Sequence, residues 1–177
     1  MNYSVPFISQ HVGIGDRQWK WRGCGVASLA MAMAYWHQQS KSNASEALDA
    51  LIEKGLAIGA YREGVGWVHA GLVALAQQYG YRAQAFDYAD NGKTPKTMPE
   101  TWELLASALR DGPVLASVFP GLDPQRGGGH IVLVTGIDDE LVYFNDPEES
   151  LARDGVRMVA RHIFEQGFKK RFVVVRP

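Results

Sequence analysis

The run Gly23–His37, GCGVASLAMAMAYWH, constrains this chain more than any other. It holds the sole cysteine, Cys24, between two glycines, and strong helix formers follow at once. A stretch this apolar, uncharged and too short to span a bilayer reads as a helix buried in a core. Cys24 then sits at the helix N-terminus, among unsatisfied N–H groups and at the positive end of the macrodipole, where an anionic sulfur is favoured. A free cysteine can also be an inert packed thiol. Gly23 and Gly25 weigh against that, because residues without side chains leave room beside the sulfur for another molecule.

A chain of 177 residues has ample interior for one hydrophobic core, and residues 1–177 are expected to form a single domain. Eighteen basic and nineteen acidic side chains nearly cancel, which argues against a nucleic-acid partner. One cysteine excludes an intrachain disulfide and a cysteine-rich metal cluster. Neither a signal-peptide pattern nor a membrane-length apolar run is present, so a cytoplasmic protein without a membrane partner is expected.

Along the chain, Val5–Ser9 reads as a short edge strand, followed by a loop whose Trp19 and Trp21 form either a packed lid or a substrate surface. After the Cys24 helix, which should end before SKSN, a second helix is expected from near Asn43, with Asn43 and Glu46 at capping-box spacing, to Gly55. Residues 55–66, with four glycines, read as an irregular connection. A third helix is expected over Trp67–Tyr79, a strand over Tyr81–Phe86 and a fourth helix over Pro99–Arg110. Beyond Asp111-Gly112-Pro113 the chain changes character: PVLASVF, HIVLVTGI, ELVYFN and RFVVVRP are strand-like, with a short helix near Val159–Gln166 before the last. Helices first and strands afterwards predict an α+β fold, a helical part packed on a mostly antiparallel sheet.

Two polar residues stand out in the strand half. His130 follows Gly127–Gly129 and opens IVLVTG; Asp146 closes LVYFND. If these runs pair across Asp138-Asp139, both residues reach the same end of adjacent strands, where the carboxylate can accept the imidazole N–H. Cys24, His130 and Asp146 are the types acyl transfer needs: a nucleophile, a base and an orienting acid. Zinc is the other chemistry such residues serve, but His11, His37, His69 and His162 show no ligand-like spacing with them, and neither a metal nor any other cofactor is expected. Gly127–Gly129 do not form a phosphate loop.

VPFISQ, the tryptophan-containing loop, GCGVASLAMAMAY, GPVLASV, GGGHIVLVTGID and FNDP together resemble the bacterial C39-like peptidases, a branch of the papain-like cysteine proteases. The resemblance implies a papain-like fold, a peptide or protein substrate, Cys24 as nucleophile, His130 as general base and acid, and Asp146 as orienting residue. It also implies an upstream glutamine as oxyanion donor beside the Cys24 N–H. Gln10, which ends VPFISQ, is the expected one; Gln18, nearer to Cys24, is the alternative. Relatives in bacteriocin exporters carry transport domains, which are not expected here, and no double-glycine leader preference is implied. Two other readings use the same residues: a catalytically inactive module binding peptides or cell-wall fragments, and an acyl transferase.

Overall fold

A computed structural model describes residues 2–40 and 47–177. A four-residue helix, α1 (Gln10–Gly13), precedes the long α2 (Cys24–Ser40); α3 (Leu48–Ala57) follows. The Asn43–Glu46 capping box lies outside the described residues. Next come a small hairpin, β1 (Tyr61–Arg62) with β2 (Gly66–Trp67), then α4 (His69–Gln78), β3 (Arg82–Asp87) and α5 (Met98–Leu109). The strand-rich half runs β4 (Val114–Val118), β5 (His130–Ile137), β6 (Leu141–Asn145), the one-turn α6 (Ala152–Gly155), β7 (Val156–Ala160), α7 (Arg161–Gly167) and β8 (Phe168–Arg176).

The main sheet has the order β3-β8-β4-β5-β6-β7, and every neighbouring pair is antiparallel. Helices cover both faces. On one, α2, α3 and α4 bury Leu29, Met31, Leu51, Leu72 and Leu75 against Leu115, Leu133, Val173 and Val175. On the other, Trp102, Leu105 and Leu109 of α5 and Phe164 of α7 meet Val114, Ala116, Val132, Val134, Phe144 and Phe172. Side chains alternate across a strand, so β4 and β5 send successive residues to different cores. That is why PVLASV and HIVLV are continuously apolar rather than alternating.

Several boundaries differ from expectation. Val5–Ser9 is not a strand; Ser9 instead caps α1, its Oγ accepting from the N–H groups of His11 and Val12. Trp67 lies in β2, not in the third helix, and the glycine-rich 55–66 contains the β1–β2 turn. Val156–Ala160 forms an edge strand where a helix start was expected. Its exposed Val156 and Met158 gave no alternation to read.

Candidate active site

Cys24 is the first residue of α2 and is half-buried. One turn later on the same helix face, the fully buried Ser28 donates through Oγ to the Ile131 carbonyl at 3.0 Å. Ile131 is next to His130, so this bond locks the start of α2 to the start of β5 and brings sulfur and imidazole together. The sequence reading passed over Ser28, which looks like an ordinary small helix residue.

His130 is 6 % exposed and Asp146 5 %. His130 Nε2 donates to Asp146 Oδ1 at 2.6 Å. Oδ1 also accepts the Glu148 N–H at 3.1 Å, and Arg157 Nη1 stands 3.5 Å from Oδ2. Burial by itself would lower the His130 pKa, but the hydrogen bonds and charges of Asp146 and Cys24 carry it up to about 10. Burial likewise opposes ionisation of Asp146, yet His130, the Glu148 N–H and Arg157 hold its pKa below 3.8. His130 is thus bonded to a carboxylate, and that carboxylate and the Cys24 sulfur both favour its protonated form. His130, Asp146 and Glu148 also bring ligand-type atoms within 4.8 Å of one another, but the first two are engaged with each other and Glu148 is exposed.

Gln10 is buried, and its backbone N–H donates to the Pro147 carbonyl, tying α1 to the loop that carries Asp146. Its Cβ lies 3.3 Å from where a side chain on Gly23 would begin, directly beside the nucleophile position, and its Oε1 is buried without a hydrogen-bond partner. Gln18 occupies an exposed turn, its N–H bonded to Asp16 Oδ1. Gly23 and Gly25 do not leave open room beside the sulfur, as the sequence suggested. Gln10 and Ile14 occupy the space next to Gly23, and the Trp67 ring packs on Gly25. The glycines admit the protein's own side chains.

A cleft of about 590 Å³ opens beside Cys24, walled by Trp21, the Gly66–Ala70 segment, Ser117, Gly129, Lys169 and Arg171. Trp67 is core, its Nε1 donating to the Arg22 carbonyl at 2.6 Å. Trp19 packs edge-on against Tyr61, whereas Trp21 is 76 % exposed at the rim. At the cleft floor His69 Nε2 and Ser117 Oγ are 2.6 Å apart, and burial, with Arg171, lowers the His69 pKa. Sequence reasoning missed these polar walls; the charged run Lys169–Arg171 ahead of FVVV was the available signal. Among the described residues no helix is long and apolar enough to cross a membrane.

The model of the Peptidase_C39 like family matches residues 3–173. No curated protein matches by sequence. Among solved structures, the chain is similar to a double glycine motif protease from an AMS/PCAT transporter, solved with its leader peptide (TM-score 0.63, 21 % identity, 99 % of this chain and 94 % of that one). It is also similar to a C39-like peptidase from Bacillus anthracis (0.65, 21 %, 98 % and 94 %). A third is the peptidase domain of Streptococcus ComA (0.60, 17 %, 89 % and 93 %). At these identities the structures establish a shared fold.

Proposed function

The chain belongs to the Peptidase_C39 like family, a cysteine peptidase-type enzyme, and from that premise we propose that it hydrolyses peptide or isopeptide bonds through Cys24, His130, Asp146 and Gln10. The observation that carries this reading is the buried His130, bonded through Nε2 to Asp146 and raised in pKa by Asp146 and Cys24 together. With Nε2 committed to Asp146, Nδ1 is the ring nitrogen left for Cys24. The thiolate attacks the scissile carbonyl and the bond to sulfur forms as the C=O electrons move onto oxygen. The Gln10 amide and the Cys24 N–H donate to that oxyanion. As the tetrahedral centre collapses, the C–N bond breaks and the imidazolium gives its proton to the leaving amine. His130 then takes a proton from water, whose oxygen attacks the thioester; the acid leaves and the thiolate returns. Asp146 fixes the ring's orientation throughout.

Residues 1–177 act as one peptidase domain on a peptide or protein substrate, in the cytoplasm, where a lone thiol stays reduced. A binding module that had lost catalysis would have no need of a buried His130 bonded to Asp146 at 2.6 Å. Iodoacetamide should label Cys24 rapidly near neutral pH, and His130→Ala should slow labelling and abolish cleavage of a diverse peptide library. Labelling no faster than that of free cysteine, unaffected by the histidine substitution, overturns the proposal. Adding a primary amine during cleavage separates hydrolysis from acyl transfer, because only transfer yields the amide.

A further inference from the structure

Across β5, β4 and β8 the residues Leu133, Leu115 and Val173 stand in register, forming an apolar row beneath the helical layer. Two residues further along the strands, and so on the same face, the aligned row reads Ile131, Ser117, Arg171, Asp87. All four line the cleft beside Cys24. The sheet therefore turns polar where the cleft opens.

The β4–β8 register breaks at this point: Ser117 pairs with Arg171, but Val118 pairs with Phe168, leaving Lys169 and Lys170 as a bulge. Lys170 takes a left-handed φ of 56°, a costly backbone for a residue with a side chain. Bulges of this kind re-aim side chains, and here Lys169 and Arg171 both face the cleft while Lys170 reaches away to Asp90 and the Lys96 carbonyl. Lys169 is half-buried, and its partners, the Gly128 carbonyl at 2.6 Å and the Phe119 ring, are neutral. Among the described residues Asp87 is the one carboxylate of the wall; Arg171 Nε donates to it at 2.9 Å while Nη2 donates to Asn91 Oδ1 at 2.7 Å. The result is a partly desolvated positive charge in excess, in the same cleft as the nucleophile.

We infer that this end of the cleft is a specificity subsite that takes an acidic side chain of the substrate, aspartate or glutamate, on Lys169 and Arg171. The inference rests on the peptidase reading for the identity of what is bound. Cys24 lines this cleft and Gln10 and Asp146 do not, so the subsite adjoins the nucleophile without including its proposed oxyanion donor or orienting acid. Charge-assisted hydrogen bonds to a carboxylate supply both affinity and orientation there.

The test uses pairs of peptides identical except for Asp or Glu against Asn or Gln at one position, titrated against the full chain carrying Cys24→Ala. The acidic member should bind about tenfold more tightly at one position of the register, and less so as salt is raised. Adding Lys169→Met, which keeps the stem over Phe119, should remove most of that preference; Lys169→Glu should invert it toward Lys or Arg. Equal binding within every pair, binding by none, or a preference that survives Lys169→Glu overturns the subsite. Binding needs no chemistry, so the two readings fail separately. Rapid Cys24 labelling without acid preference sinks the subsite alone; acid preference without cleavage by the wild type sinks the peptidase reading alone.

Discussion

Gln10 and Gln18 differ in their surroundings: Gln10 is buried beside Gly23, and Gln18 lies on an exposed turn. On the proposed oxyanion role, Gln10→Ala should lower kcat by roughly 10²–10³-fold, the usual effect of losing one such donor, with little change in KM. Gln18→Ala, on an exposed turn, should leave both constants within about twofold of wild type. The His130–Asp146 pair sets the pH behaviour. A histidine raised from 6.5 to about 10 contributes stability that is complete below its unfolded pKa and is lost as pH rises through about 10. Asp146, depressed below 3.8, contributes stability present above that value and lost as pH falls through its lower folded pKa. Cleavage should therefore persist through neutral pH and fall on an alkaline limb where His130 loses the proton it donates to the leaving amine. In Asp146→Asn that limb of kcat/KM should move to lower pH, because the charge that supports the imidazolium is gone. A limb that stays in place would remove Asp146 from its orienting role.

At the scale of elements, the decisive contact is that of Trp67 with the start of α2. A Cβ on Gly25 would lie 2.7 Å from the Trp67 Cβ and Cγ, and one on Gly55 of α3 would lie 2.6 Å from the far edge of the same ring. The indole is wedged between two helices and cannot retreat from either. Gly25→Ala adds about 1 kcal/mol of helix propensity. Overpacking costs about 1–3 kcal/mol, and with no free side for the ring the larger figure applies. The substitution should lower the urea midpoint and, because Trp67 walls the cleft, raise KM. Thr97, whose side chain and that of Glu100 close a reciprocal cap on α5, is a simpler case. Thr97→Ala should cost about 1 kcal/mol in urea unfolding and leave Cys24 labelling unchanged, since α5 packs on the opposite face of the sheet.

For the whole molecule, the sheet acts as a partition. Cys24 packs with the core under α2, α3 and α4, whereas Phe164, fully buried in α7, fills the core on the other side with Trp102, Phe144 and Phe168. Phe164→Ala should cost about 3–5 kcal/mol of stability, a large share of the roughly 5–15 typical of a domain. The fraction that remains folded should still alkylate at Cys24 at the wild-type rate. A proportional loss of labelling would mean that the two cores are coupled through the sheet.

Local chemistry was readable along the chain: helix formers after Cys24 and apolar strand runs around a two-aspartate turn. These signals depend on neighbours within one turn or one strand, so α2, α5, β3, β4, β5 and β6 lie within a few residues of where they were expected. The meeting of His130 with Asp146 was also within reach, because a hairpin register relates its two strands directly. What no local pattern carries is contact between distant segments. The Ser28 bond that sets α2 on β5, the choice of Gln10 over Gln18 beside Gly23, and the wedging of Trp67 between Gly25 and Gly55 all depend on packing across the core. So does the bulge that turns Lys169 and Arg171 toward the cleft, a shift of register visible only once β4 and β8 are paired. The sequence alone determined which residues were available for the chemistry; long-range packing decided which of them meet, since a glycine reads the same whether its empty side holds substrate, solvent or a tryptophan.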